Sequence, residues 1–192
     1  MLYNSEAWHS IVKDDIAILS RVDESLLAGL VSAHSKAPKE ALFLETGTLP
    51  IKYVLAARRL IYLQNILKRD NTELLKKVYL SQKANPNKGD FVDLVSEDAK
   101  LAELYIKEED IENMSKSDFE ILVKRAVRKA AFEHLSQIQQ GHSKYKAVRH
   151  NDLRMQPYMI DETMKPDDIS LLFALRTKTV RNIRSDFGNM YG

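Results

Sequence analysis

Apolar residues recur along this chain with the spacing of helices. In the stretch Lys13 to Val31 they return every three or four positions, at Ile16, Leu19, Val22, Leu26, Leu27 and Leu30. That spacing predicts a helix with one buried face. No run alternates apolar and polar residues, and no Asn-Gly or Asp-Gly turn occurs. The pattern therefore predicts an all-α fold, a multi-helix bundle that could consist of two packed helical modules.

Proline and glycine mark where the next two helices begin and end. Ser35 and Pro38 lie where a short helix should start, and Gly47 lies just beyond its end. Pro50 then opens a third helix that continues to about residue 69. This third helix is apolar on most sides, so we expect it to lie at the centre of the bundle.

A turn-rich segment follows the fourth predicted helix. Asn71 or Thr72 caps that helix, which continues to about residue 84, and residues 85–89 read Asn-Pro-Asn-Lys-Gly. Such a turn is the best candidate for a boundary between two helical modules. We therefore predict one module over residues 1–86 and a second over residues 87–192.

The clearest helix of the chain spans residues 119–140. Ser117 and Glu120 have the spacing of a capping box, and Gly141 is typical of the residue that follows a helix. One continuous apolar stripe runs along it, through Phe119, Leu122, Val123, Ala126, Val127, Ala130, Ala131, Leu135 and Ile138. We expect an irregular connector over residues 142–165 after it.

Charge is distributed in opposed blocks that nearly cancel to a net +2. Residues 51–69 carry five basic side chains and no acid, whereas residues 90–120 carry eleven acids against three lysines. Within the acidic segment we expect one helix and a shorter one over residues 90–113. Residues 124–149 are basic again. This distribution predicts local basic patches, not a surface that is basic throughout.

Few residues could support catalysis or bind a metal. The chain has no cysteine, which excludes disulfides, thiolate zinc sites and cysteine nucleophiles. His134, His142 and His150 are eight positions apart, too far for one helical face, so a zinc site would need carboxylates gathered across the fold. There is no glycine-rich phosphate loop and no nucleophile elbow, although composition alone leaves a Ser-His-Asp triad open. We predict no catalytic residue, no metal and no cofactor.

Two pairs of adjacent aspartates are the only candidates for a two-metal nucleotidyl-transfer site. Asp14-Asp15 begins the first helix, and Asp167-Asp168 begins a last helix predicted over residues 166–183. Neither pair is flanked by a strand, and acids in a first helical turn suit the helix dipole. We interpret both pairs as acidic helix starts and expect no polymerase activity.

Basic side chains on the helix over residues 119–140 are the clearest functional signal. Lys124 and Arg128 are four residues apart, as are Arg125 and Lys129, and all four lie opposite the apolar stripe. Such a row can neutralise phosphates along a nucleic-acid backbone. The alternative is an ordinary solvated helix face.

Four more basic residues are candidates for phosphate contact. Arg58 and Arg59 lie in the largely apolar third helix, so each needs an acid or an exposed edge. Glu45 is one candidate partner, and both structural pairing and phosphate contact stay open. Lys36 and Lys39 lie at the start of the short second helix, where free N–H groups and positive side chains together favour an anion.

A series of short motifs in fixed order carries a resemblance to a known family. This chain resembles the C-terminal region of the reverse transcriptase polyproteins of non-LTR retrotransposons from invertebrate genomes. The resemblance is best over residues 2–95 and 119–185. Its landmarks are Leu2-Tyr3-Asn4-Ser5-Glu6-Ala7-Trp8, Val22-Asp23-Glu24-Ser25-Leu26-Leu27, His34-Ser35-Lys36, Leu44-Glu45-Thr46-Gly47, Pro50-Ile51, Arg58-Arg59-Leu60 and Lys88-Gly89-Asp90.

The resemblance implies a function in binding nucleic acid without catalysis. In such enzymes the helices after the catalytic palm look like a thumb that grips the template–primer duplex, and a helical linker follows. It therefore implies a thumb-like module over 1–86, a linker module over 87–192, and two partners, an RNA/DNA duplex and the rest of the polymerase. The palm motif itself, aromatic-x-Asp-Asp, is absent.

An alternative hypothesis keeps the helical fold and changes the function. The chain could be a stand-alone scaffold or protein-interaction module derived from a retroelement. Under either hypothesis we expect an intracellular location, in the cytoplasm or the nucleus. No apolar run approaches the 18 residues of a membrane span, so we expect no membrane partner. The sequence leaves the oligomeric state open.

Overall fold

The computed structural model describes residues 13–31, 33, 37–141 and 150–177. Over these residues the chain forms nine helices and no strand, apart from one isolated β-bridge between Thr46 and Met155. In chain order the helices are α1 (Lys13–Leu30), α2 (Lys39–Thr46), α3 (Ile51–Leu67), α4 (Leu74–Ala84), α5 (Phe91–Leu101), α6 (Glu108–Asn113), α7 (Lys116–Gly141), α8 (Pro157–Ile160) and α9 (Pro166–Arg176). The predicted all-α, multi-helix fold is confirmed.

Most helix ends lie where the sequence places them, but α4 begins later. Asp70 accepts hydrogen bonds from both the backbone N–H and the hydroxyl of Thr72, at 2.8 and 2.7 Å. These bonds close a turn before the helix, since an aspartate side chain readily pairs with the backbone two residues on. Glu73, not Asn71 or Thr72, therefore occupies the N-cap position.

The cap of α7 lies two residues before the predicted one. Ser115 Oγ accepts a hydrogen bond from the Asp118 backbone N–H at 3.1 Å and donates one to the Asp118 carboxylate at 2.7 Å. The helix therefore starts at Lys116, and within the described residues it continues through Gly141. Two pairs of polar residues three positions apart occur here, Ser115 with Asp118 and Ser117 with Glu120. The first pair caps the helix.

Contacts between residues divide the chain into two compact units. The first unit consists of Met1–Ser20 and Leu49–Ala131, and the second of Arg21–Thr48 and Phe132–Gly192. The boundary predicted between residues 86 and 87 falls within the first unit. The division into modules 1–86 and 87–192 stays a prediction.

Helix α3 is the centre of the first unit, as its apolar surface predicts. It packs against α4, α5 and α6. Its buried side chains include Tyr53, Leu55, Ala56, Leu60 and Leu63. Gln64 of α3 donates hydrogen bonds to the backbone carbonyls of Ile111 and Met114, at 2.9 and 3.0 Å. These bonds satisfy carbonyls at the end of α6 that have no partner within their own helix.

The core of the second unit forms around the short helix α2. Every residue of that helix from Ala41 to Thr46 is buried, as are Leu153 and Phe173. Gly47 follows α2 in the left-handed conformation at φ 66°. The backbone at Arg154 and Met155 passes so close that a Cβ on Gly47 would lie 2.2 Å from the Met155 nitrogen. Glycine is therefore required at this position for two reasons.

The apolar stripe predicted for α1 is buried only in part. Leu27 is buried, whereas Leu26 and Leu30 are 64% and 71% exposed. Leu26 and Leu30 are one turn apart and share an exposed side of α1, whereas Leu27 points about 100° away from Leu26. The prediction of a single buried face was therefore wrong for Leu26 and Leu30. No helix in the described ranges is both long and apolar enough to span a membrane.

Candidate nucleic-acid interface

The four predicted cations of α7 share one exposed surface, which we call the α7 basic face: Lys124, Arg125, Arg128 and Lys129. The opposite side of the helix is core, because Phe119, Val123 and Val127 are fully buried. Residues four apart on a helix are separated by about 6 Å along its axis. The packing of the apolar stripe in the first unit therefore fixes the direction in which all four cations point.

Lys124 on this face has an acidic partner. Its Nζ lies 2.5 Å from Glu120 Oε1, one turn earlier on the same helix. The hydrogen bond from Lys124, together with its positive charge, holds the pKa of Glu120 below its ordinary value. Glu120 is therefore an anion that competes with phosphate for Lys124, so we expect Lys124 to bind phosphate less strongly than it would without this acid.

An exposed apolar side chain precedes the cations on the same helix. Ile121 is one turn before Lys124 and Arg125 on α7 and is more than half exposed. An isolated exposed isoleucine is common on protein surfaces. Here it adds an exposed apolar side chain at the N-terminal end of the α7 basic face. Such a face can contact both a phosphate and the apolar edge of a sugar.

The predicted anion site at the start of α2 has less support than the α7 basic face. Lys36 lies outside the residues that the structure describes. Lys39 is the first residue of α2, and its ammonium group lies 2.5 Å from the Glu24 carboxylate of α1. Because a carboxylate already accepts from Lys39, an incoming phosphate would have to displace it. Lys39 therefore adds little support to an anion site.

Arg59 is an internal ion-pair residue. Its Nε and Nη2 donate hydrogen bonds to the two carboxylate oxygens of Asp98 on α5, at 2.6 and 2.8 Å. Both side chains are only 6% exposed. The suggestion that Glu45 pairs with Arg59 was therefore wrong. Of the two roles left open for Arg59, the structure supports the ion pair, and Arg58 beside it is half-buried on α3.

Sequence reasoning missed Asp98, although a signal for it exists. Phe91, Val95 and Ala102 are buried on one face of α5, and Asp98 falls in the same row at helical spacing. A lone acid on an apolar face predicts a buried carboxylate that needs a cation. Burial raises the pKa of Asp98, while the hydrogen bonds and charge of Arg59 oppose that effect.

A second buried carboxylate lies in the second unit and has three partners. Glu45 is fully buried at the end of α2. Its Oε1 lies 3.1 Å from His150 Nε2, and its Oε2 accepts hydrogen bonds from Tyr158 Oη at 3.0 Å and Arg176 Nε at 2.8 Å. The Arg176 guanidinium also lies over the Tyr158 ring, 5.7 Å from its centre.

These contacts keep Glu45 ionised. Burial acts to raise its pKa, but the hydrogen bonds from His150 and Arg176, with the charge of Arg176, hold the pKa below its ordinary value. The pKa of Tyr158 is raised by burial and by the nearby Glu45 charge. The Glu45 and His150 side chains are fully buried, whereas Arg176 is partly exposed. Through the single Glu45 carboxylate the cluster joins α2, the segment at His150, α8 and α9.

The signal for this cluster was an acid inside an apolar run. Leu42, Phe43 and Leu44 precede Glu45, and all of them are buried. The partners could not be read from the sequence because they follow more than 100 residues later. Among the described residues, no group of three or more His, Asp or Glu side chains could hold a metal ion.

Comparisons of this chain with family models, with curated proteins and with solved structures found no match.

Proposed function

We propose that this chain is a non-catalytic, helical, nucleic-acid-binding fragment of a retroelement reverse transcriptase. The observation that carries the proposal is the α7 basic face, on which four cations project from one side of a helix whose other side is core. In this proposal the face contacts the phosphates of an RNA/DNA duplex. The motifs that resemble the region after a polymerase palm are the reason for proposing an RNA/DNA duplex as the partner. They are also the reason for proposing a second partner, the rest of the polymerase.

The electrostatics of α7 favour a polyanionic partner. Lys124 with Arg128, and Arg125 with Lys129, place like charges one turn apart, and each such pair destabilises a helix by about 0.2–0.5 kcal/mol. A phosphate strand that binds across the row releases condensed counterions, which favours binding.

We propose that the two pairs of adjacent aspartates have no part in nucleotidyl transfer. Asp14-Asp15 lie in the first turn of α1 and Asp167-Asp168 in the first turn of α9. Acids at such positions complement the helix dipole. We propose that nucleotidyl transfer belongs to a separate palm and that this chain positions the duplex for it. The chain then binds the duplex where template is found, in the cytoplasm or the nucleus.

A stand-alone scaffold is the second candidate, and one observation favours it. Leu26 and Leu30 of α1 are largely exposed, and exposed apolar side chains at helical spacing are typical of protein-binding surfaces. A partner held by apolar contact would bind with little dependence on salt. Binding through phosphates weakens steeply as salt rises. Salt dependence therefore separates the two functions.

The test uses two variants with equal loss of charge. The α7 variant replaces all four residues of the α7 basic face by alanine. The control variant replaces four other exposed lysines of the first unit by alanine: Lys77, Lys88, Lys100 and Lys107. Fluorescence anisotropy with an RNA/DNA duplex at low salt should show a large loss of affinity for the α7 variant and a smaller loss for the control. Equal losses would mean that only net charge matters and would contradict an interface on α7.

A further inference from the structure

The helices of the first unit line a cavity of about 190 Å³ that is open to solvent on one side. Most of its wall is aliphatic or aromatic, from Leu60, Leu63, Val92, Val95, Ile111 and Phe119. The wall extends from the fully buried Phe119 to the exposed Ser96. The cavity therefore reaches from the core to the surface, and a small molecule can enter it.

One side of the wall carries a fixed polar group. Glu108 Oε1 accepts a hydrogen bond from Tyr79 Oη and Oε2 accepts one from Lys83 Nζ, both at 2.7 Å. Burial acts to raise the pKa of Glu108, but these two hydrogen bonds and the charge of Lys83 hold it below its ordinary value. Glu108 is thus an ionised group that only accepts hydrogen bonds. Each carboxylate oxygen can accept a second bond, so the group can take one more donor.

A short loop closes the cavity at the end of α5. Glu103 has the left-handed conformation at φ 52°, and the Leu104 N–H donates a hydrogen bond to the Ala99 carbonyl at 2.8 Å. This is the 6→1 bond of a Schellman motif, which turns the chain back at a helix end. Leu104 and Ile106 line the cavity, whereas Tyr105 between them is exposed. The cavity wall is therefore held by backbone hydrogen bonds at this point.

We propose that this cavity binds a compact aromatic molecule with one N–H or O–H donor. Apolar cavities of about 150 Å³ are large enough to take up benzene. Small-molecule sites usually combine an apolar wall with a few fixed polar groups, which is the composition found here. The ring lies among the aliphatic side chains, and its donor points to the Glu108 carboxylate. This site is separate from the α7 basic face and does not depend on nucleic-acid binding.

The probes are indole, which has one N–H donor, and 1-methylindole, which has the same ring system without the donor. Isothermal titration of the full chain should show saturable binding of indole. 1-Methylindole should bind about tenfold more weakly, because it has no donor for the Glu108 carboxylate. Amide resonances that shift on indole addition should belong to the residues of the cavity wall.

A cavity-filling substitution tests the location. Ala99→Leu adds volume to the wall and should abolish indole binding, whereas Ala84→Leu on the exposed end of α4 should leave it unchanged. Thermal melting shows whether each variant folds. The proposal is overturned if indole does not bind up to its solubility limit, if folded Ala99→Leu binds as well as the parent chain, or if 1-methylindole matches indole. If Ala99→Leu does not fold, the comparison of the two probes decides alone.

Discussion

Arg59 and Asp98 form a double hydrogen bond inside the first unit that joins α3 to α5 across 39 residues of sequence. Burying two ions costs several kcal/mol, which only close geometry and mutual attraction can offset. The pair therefore stabilises the fold less than its short distances suggest. We expect its larger effect to be on specificity, since a shift in the register between α3 and α5 would leave a buried charge unpaired.

This view predicts unequal effects of single and double substitution. Asp98→Ala should lower the free energy of unfolding by about 3–5 kcal/mol, because it leaves the Arg59 charge buried without its partner. The double variant Arg59→Met with Asp98→Leu should recover most of that loss, since apolar residues fill a similar volume. Urea denaturation of the three proteins measures both values. A double variant as unstable as the single one would show that the pair itself supplies the stability.

Gly47 should tolerate no side chain. An added Cβ would lie 2.2 and 2.4 Å from backbone atoms of Met155 and Arg154, and the φ of 66° also disfavours other residues. We expect Gly47→Ala to destabilise the protein by more than the 1–2 kcal/mol that a left-handed residue alone costs. Gly29 of α1 is the control, because a Cβ there meets nothing within 4 Å. Thermal melting should show Gly29→Ala unchanged or slightly stabilised.

At Glu103 we predict the opposite effect, because a change to glycine should stabilise the protein. It occupies the left-handed position of a Schellman motif, where glycine is usual. Glu103→Gly should stabilise the protein by about 0.5–1 kcal/mol, because relief of the left-handed conformation outweighs the extra freedom of glycine in the unfolded chain. Lys100→Gly, in the last turn of α5, should destabilise by about 1 kcal/mol. Chemical denaturation measures the change in free energy of unfolding for both variants. Changes of the same sign would contradict this account.

The Glu45 cluster should make stability depend on pH in the acid range. The pKa of Glu45 in the folded chain is below its ordinary value of 4.5. Its stabilising contribution is therefore complete above pH 4.5 and lost as pH falls through the folded pKa. The advantage of the parent chain over Glu45→Gln in free energy of unfolding should be large at pH 7 and shrink below pH 4.5. An advantage that stays constant between pH 7 and pH 3 would contradict this assignment.

Local chemistry explains what the sequence predicted well. The end of α1, the bounds of α3, the left-handed Gly47 and the exposed side of α7 follow from spacing and from the conformational preferences of proline and glycine. Each of these depends on residues within one or two turns. The fold class and the α7 basic face therefore follow from the order of the amino acids alone.

Long-range partners could not be predicted in the same way. Asp98 for Arg59, and His150, Tyr158 and Arg176 for Glu45, are 39 to 131 residues away from the side chains that they pair with. A buried charge shows that a partner must exist, but helix packing decides which residue it is. The exposed Leu26 was missed for the same reason, because periodicity identifies an apolar row without showing what covers it.

The most direct test of the proposed function is the salt dependence of duplex binding. The parent chain, the α7 variant and the control variant are titrated with an RNA/DNA duplex between about 50 and 200 mM salt, the range over which phosphate contacts weaken strongly. The slope of log affinity against log salt should become shallower by about 0.9 for each phosphate contact that the α7 variant loses. The control variant should keep the parent slope, and all three should melt at similar temperatures. Identical slopes for the parent chain and the α7 variant would contradict phosphate binding by the α7 basic face.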